Sequence, residues 1–71
     1  MPPEFDKKLQ ELNIPHDIRS GGVTVVNTYP PYPGEISDSA ELSKLLLELA
    51  DQTDAKLVSS DGDHLEFGPK K

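Results

Sequence analysis

Residues that could ligate a cation or move a proton gather at one predicted turn. Asp61, Asp63 and His64 lie within four consecutive positions, and His16 is the only other histidine of the chain. Carboxylates and imidazoles bind Ca²⁺, Mg²⁺ or Zn²⁺, but the ligand spacing of a calcium-binding loop is absent and no His-x-x-x-His pair occurs. Aspartates that flank a glycine are typical of turns, where they accept hydrogen bonds from their own backbone. We therefore expect no metal site and no cofactor.

Sequence motifs of enzyme catalysis are absent. Gly21-Gly22 lacks the further glycines or the lysine of a phosphate-binding loop, and no G-x-S-x-G nucleophile motif occurs. Ser59, His16 and Asp17 have no spacing that distinguishes them from a chance set of triad residue types. The chain has 71 residues and no cysteine, which removes thiolate chemistry and leaves little room for a deep substrate cleft. The sequence predicts a protein that is not an enzyme.

A proline-rich loop with two tyrosines, residues 28–35, is the most unusual stretch of the chain, and we call it the tyrosine loop. Three prolines in four positions remove backbone donors and favour polyproline II geometry, so this stretch is not a central strand. Tyr29 and Tyr32 each precede a proline, and a tyrosine on a stiff loop gives a large contact area at a small entropy cost. We predict that both tyrosines bind a partner. The alternative is that they cover the open side of a small core.

Acidic residues exceed basic ones, 13 to 7, which gives a net charge of −6. A chain of this sign repels phosphate backbones, so we expect no direct binding of nucleic acid and instead a partner protein with a basic surface. Glu48, Asp51 and Asp54 lie along the polar side of the main predicted helix or just past it, and Asp61 and Asp63 lie in the closing hairpin. We predict that these acids bind the partner. The alternative is that they only solvate the surface.

The leucines of residues 37–53 predict the helix on which the rest of the chain packs. Apolar residues recur at i, i+3, i+4, i+7 and i+8, which is the pattern of one buried face. Asp38 and Glu41 have capping-box spacing, so the Asp38 carboxylate should accept from the Glu41 backbone N–H. Leu47 lies off the buried stripe and is either exposed or covered by the first helix. The stripe consists of Leu42, Leu45, Leu46, Leu49 and Ala50.

A second, shorter helix is predicted near the N-terminus. It begins at Pro2-Pro3, because proline is favoured in a first helical turn, and it carries Phe5, Leu9 and Leu12 at helical spacing. Asn13 can adopt the left-handed conformation that ends a helix. A helix of about nine residues does not persist alone, so it must pack on the rest of the chain.

Two hairpins are predicted, one before and one after the main helix. The first joins residues 14–20 to 23–28 through two glycines. A two-residue turn there sets Ile18 opposite Val25 on the core face, whereas Val26 faces away.

The second hairpin joins residues 56–60 to 63–68 through Asp61-Gly62. Its register stays open between two alternatives. A two-residue turn sets Val58 opposite Leu65, whereas a three-residue loop with a glycine bulge sets Leu57 opposite Leu65.

Together these elements predict a single α+β domain over residues 1–71, with 69–71 as a frayed tail. The element order is α-β-β-α-β-β, and the architecture is a two-layer sandwich with both helices on one face of a mainly antiparallel four-stranded sheet. The sequence holds neither a membrane-spanning run nor an apolar leader. We therefore expect a cytoplasmic protein without membrane contact, either a monomer or a weak homodimer.

The function that we favour on these grounds is a small acidic protein-binding module without enzyme activity. It is an inhibitor or an adaptor, of the kind that phages and mobile elements encode, and it docks on a basic surface of a larger protein, in one version as a nucleic-acid mimic. One alternative is a small-molecule-binding domain or a small subunit of a multi-subunit enzyme, with the tyrosine loop at its mouth. Another is a structural protein that dimerises through a sheet edge or Leu47.

Overall fold

Two helices cover one face of a four-stranded antiparallel sheet in the computed structural model, which describes residues 2–70. The elements are α1 (Pro3–Glu11), β1 (Asp17–Arg19), β2 (Val23–Asn27), α2 (Ser39–Gln52), β3 (Ala55–Ser60) and β4 (His64–Pro69). The sheet order is β1-β2-β4-β3, so the two hairpins meet along β2 and β4 at its centre. The predicted α+β fold and element order are confirmed.

Helix α2 buries most of the predicted leucine stripe. Its N-terminus is capped as predicted, because the Asp38 carboxylate accepts from the Glu41 N–H at 2.8 Å. The Glu41 carboxylate accepts in turn from the backbone and the hydroxyl of Ser37. Leu45 is half-buried, and Leu47 is exposed. The core contains Phe5, Leu9, Ile14, Val26, Leu42, Leu46, Leu49, Ala50, Ala55, Leu65 and Phe67.

A carboxylate from a distant part of the chain caps the N-terminus of α1. Pro2 and Pro3 have no N–H, and the next two backbone donors, of Glu4 and Phe5, donate to the two oxygens of Asp54 at 3.3 and 3.1 Å. The first turn of a helix leaves such donors without partners inside the helix. Asp54 therefore does the work of an N-cap side chain, although it lies between α2 and β3.

A second carboxylate ties α1 to the sheet. The Thr24 hydroxyl of β2 donates to Asp6 Oδ1 at 2.6 Å, and both residues are buried. Asp6 Oδ2 is buried as well and has no hydrogen-bond partner among the described residues. Breaking a buried hydrogen bond leaves polar groups without a partner, which is costly, so this contact helps to fix where α1 lies on β2.

The C-terminus of α1 ends as predicted. Asn13 has a φ of 58°, and its N–H donates to the Gln10 carbonyl at 3.1 Å. The Ile14 N–H donates to the Leu9 carbonyl at 2.8 Å, which completes a Schellman motif. Ile14 and Leu9 are both buried, so this turn also delivers apolar side chains to the core.

The register of the first hairpin differs from the prediction by one residue. Ile18 pairs with Thr24 rather than with Val25, because the turn contains three residues, including two glycines with positive φ. The slip exchanges the two faces of the strand. Val26, predicted to face away, belongs to the core, and it lies opposite Leu65 of β4. Pairing with β4 and the bond from Thr24 to α1 thus set the register of β2.

The second hairpin has neither of the two registers considered from the sequence. Ser60 lies opposite Leu65, and a bulge in the middle of β3 separates this pairing from that of the rest of the strand. The cause is local: the Asp61 carboxylate accepts from the N–H groups of Asp63 and His64, which moves the turn one residue along the chain.

The prediction of a frayed tail is wrong for Pro69 and Lys70, because both residues are paired with the beginning of β3 or the residue before it. Pro69 ends β4 opposite Ala55, and the Lys70 N–H donates to the Asp54 carbonyl at 3.1 Å. The last residue of the predicted tail lies outside the described residues.

Leu46→Ala should destabilise the fold, because Leu46 is fully buried at the centre of the leucine stripe. Lost burial and the residual cavity should lower the free energy of unfolding by about 2–5 kcal/mol. Leu47→Ala is the matched control on the same helix and should change it by less than about 0.5 kcal/mol. Urea unfolding of both variants measures the difference, and equal losses would contradict this orientation of α2.

Asp54→Ala should lower the free energy of unfolding by about 0.5–2 kcal/mol, which is the usual cost of losing an N-cap. The control is Asp51→Ala, which removes an exposed carboxylate near the C-terminus of α2, where the helix dipole disfavours anions. That variant should be neutral or slightly stabilised. If Asp54→Ala were as stable as Asp51→Ala in urea unfolding, the cap would contribute nothing.

Candidate functional site

The tyrosine loop meets the turn between β3 and β4 at one end of the sheet. The Thr28 N–H donates to the Asp63 carbonyl at 2.8 Å, which ties the two segments together. The Tyr29 ring is 46% exposed and lies edge-on to the His64 ring, with 6.3 Å between ring centroids. Tyr29, Asp61 and Asp63, all predicted to bind a partner, therefore come together with His64. We call these four residues the tyrosine–turn surface.

The Asp61 carboxylate organises this turn. Its Oδ1 accepts from the N–H groups of Asp63 and His64 at 2.8 and 2.9 Å, and His64 Nδ1 lies 3.2 Å from the same oxygen. The hydrogen bond from the Asp63 backbone is the main cause that lowers the pKa of Asp61 below its usual value of 3.8, and the contacts with His64 lower it further against a desolvation effect. Asp61 therefore presents a fixed negative charge at neutral pH.

An apolar groove runs beside the Tyr29 ring. Its first part has a volume of about 160 Å³, and a second part of about 180 Å³ adjoins it and shares Ile14 and Pro33 as walls. The first part is lined by Ile14, Pro15, Asn27, Tyr29, Pro31, Pro33 and Leu42, and the second by Leu12, Ile14, Pro33, Gly34, Glu35, Ile36 and Leu45. The groove thus follows the tyrosine loop past the end of α1 and along α2.

The two tyrosines of the loop have different environments. Tyr32 is half-buried and packs against the core together with Ile36 and Leu45, whereas nearly half of the Tyr29 side chain is exposed. The loop forms neither helix nor strand, and its Pro30–Pro31 peptide bond is cis. Of the two predicted aromatic anchors, Tyr29 is the accessible one, whereas Tyr32 holds the loop against the core.

Glu48 and Asp51 lie on a separate surface, the outward face of α2. They flank the exposed Leu47 along an open depression of about 600 Å³. All of its lining residues belong to one helix, so it is a surface strip rather than a cleft. Within residues 2–70, neither acid forms an ion pair. The strip is lined by Ala40, Ser43, Lys44, Leu47, Glu48 and Asp51.

Asp54, also predicted to bind a partner, is half-buried and engaged with the N-terminus of α1. The sequence held a signal for this role. A helix that begins at Pro2-Pro3 has no Ser, Thr, Asp or Asn at its cap position, so its backbone donors need an acceptor from elsewhere. Sequence reasoning also missed His64 as part of the tyrosine–turn surface, because only the fold brings it to Tyr29.

Comparisons with known proteins identify no relative of this chain. It matches no known protein family, no curated protein and no solved structure. Among the described residues, no three His, Asp or Glu side chains converge as metal ligands. Neither α1 nor α2 has the length and apolar character to cross a membrane. The function must therefore be argued from the exposed surfaces of the domain.

Substituting the two tyrosines separately should distinguish their roles. Tyr32→Ala should lower the free energy of unfolding by about 1–2 kcal/mol, since a half-buried ring contributes part of the 1.5–3 kcal/mol of a fully buried apolar side chain. Tyr29→Ala should change it by less than about 0.5 kcal/mol. Thermal unfolding measures both. A large loss for Tyr29→Ala would mean that this ring belongs to the core.

Proposed function

We propose that this chain is a small acidic protein-binding module, an inhibitor or an adaptor, that docks on a basic surface of a larger protein. The observation that carries the proposal is the tyrosine–turn surface, where the exposed Tyr29 contacts His64, and His64 in turn contacts the carboxylate of Asp61 in the turn that also contains the exposed Asp63. An aromatic ring next to fixed negative charges is a suitable site for a cationic side chain.

Arginine is the partner side chain that suits this surface best. Its planar guanidinium can stack on a tyrosine ring and also donate hydrogen bonds to a carboxylate. The lowered pKa of Asp61 keeps that carboxylate charged. The backbone hydrogen bonds of the turn also hold Asp61 in place before a partner arrives, which reduces the entropy lost on binding.

Glu48 and Asp51 have a different role in this proposal. They are exposed on the outward face of α2, and they contribute to the net charge of −6 without an ion-pair partner in the described chain. Such charges act through the field of the whole protein, which speeds encounter with a basic partner. An inhibitor encoded by a phage or a mobile element, active in the cytoplasm, is the version that we favour, and mimicry of nucleic acid is one form of it.

A small-molecule-binding domain is the second candidate, and the groove beside Tyr29 favours it. Its two parts, of about 160 and 180 Å³, together reach only the lower end of the roughly 300–1,000 Å³ of common ligand pockets. The first part alone suits one side chain of a partner, whereas a metabolite would need both parts. A metabolite that bound the folded chain would raise its melting temperature by mass action, so a thermal screen distinguishes the two candidates.

Two variants of equal charge should bind differently to a partner captured from native lysate. Asp61→Asn with Asp63→Asn should weaken binding about tenfold, mainly through faster dissociation, because these carboxylates contact the partner. Glu48→Gln with Asp51→Asn removes the same two charges from the outward face of α2. It should slow association and flatten its dependence on salt, with little effect on dissociation.

Association and dissociation rates measured across a range of salt concentrations test both expectations. Equal behaviour of the two double variants would mean that only net charge matters and that the turn is no binding site. Unchanged binding in both variants would mean that none of the four acids contributes to partner binding and that they only solvate the surface.

A further inference from the structure

The groove beside Tyr29 has the size and chemistry to hold one apolar side chain. An apolar cavity of about 150 Å³ accommodates a single molecule of the size of benzene. The first part of the groove has a volume of about 160 Å³, and its walls include Ile14, Leu42 and three prolines. None of the residues that line this part is charged.

The groove is continuous with the charged turn through Tyr29. One tyrosine side chain lines the apolar groove and also contacts the His64 ring edge-on at 6.3 Å. His64 Nδ1 in turn lies 3.2 Å from the Asp61 carboxylate. The apolar groove and the negatively charged turn are therefore connected through the contacting side chains of Tyr29 and His64.

We propose that the groove binds a leucine-sized side chain of a partner segment, and that an arginine of the same segment binds the carboxylates of Asp61 and Asp63. The inference rests on the proposed function and specifies the segment of the basic partner that this site recognises. Charge complementarity selects a protein segment as the occupant, because a net charge of −6 and two carboxylates beside the groove favour a cationic ligand.

Three blocked hexapeptides test this inference on the wild-type protein. The parent is acetyl-Gly-Leu-Gly-Gly-Arg-Gly-amide, and its two variants carry alanine in place of leucine or glutamine in place of arginine. Titration followed by backbone amide chemical shifts gives the dissociation constants. The parent should perturb the amides of Asn27, Tyr29, Leu42 and His64. Each variant peptide should bind about tenfold more weakly, since each loses one of two contacts of similar strength.

Protein variants assign each contact to its site. Pro15→Phe should fill the groove and remove the advantage of the leucine peptide over the alanine peptide, whereas the control Pro15→Ala should keep it. Pro15 is exposed and lies outside the helices and strands, so the fold should accept the change. Asp61→Asn with Asp63→Asn should instead remove the advantage of arginine over glutamine. Thermal unfolding of each variant verifies that it is folded.

The same titrations distinguish an error in the proposed groove site from an error in the proposed charged site. Equal affinity for the leucine and alanine peptides would overturn the groove as a binding site, while a remaining preference for arginine would support the proposed function. Equal affinity for the arginine and glutamine peptides would instead count against the proposed function itself. Absence of binding by the parent peptide at millimolar concentration would overturn the inference.

Discussion

The docking of α1 is the interaction on which the rest of this small structure depends. Phe5 and Leu9 are fully buried, and the Phe5 ring lies 4.7 Å from the ring of Phe67 at the centre of the sheet. A helix of nine residues is too short to persist alone in water, so tertiary contacts must hold it. Asp54 and Asp6 provide two of these contacts, one at the helix N-terminus and one to β2. Two carboxylates of an acidic chain are thus structural.

Local signals in the sequence predicted the helices and their ends, whereas long-range contacts decided how the strands pair. The Asp38 cap and the left-handed Asn13 depend on residues within one helical turn, so the sequence sufficed. Two adjacent glycines allow either a two-residue or a three-residue turn, and the choice came from elsewhere. Thr24 bonds to α1, and β2 pairs with the last strand of the chain. A pattern read over a few residues contains neither constraint.

The same distinction explains which site residues could be recognised from the sequence. Tyr29 and Tyr32 have nearly identical neighbours, and only the packing of the loop on α2 separates an exposed ring from a half-buried one. Asp54 has the sequence context of another surface acid, although it is committed to a helix distant in the chain. Asp61 and Asp63 could be recognised as turn residues, because aspartates beside a glycine typically accept hydrogen bonds from the nearby backbone. Their proximity to Tyr29 needed the fold.

The edges of the sheet limit where another protein can bind. β1 has only three residues and carries Asp17 and Arg19, and β3 has a bulge and carries Lys56. Short, charged or bulged edges are poor templates for pairing with a further strand. The tyrosine–turn surface is built instead at the strand ends, where the backbone of Thr28 bonds to Asp63 and the Tyr29 ring contacts His64. Loops fixed by a rigid scaffold can present side chains for recognition without exposing unpaired strand backbone. This arrangement suits the recognition that we propose, through an aromatic ring and two carboxylates, better than it suits β-sheet extension.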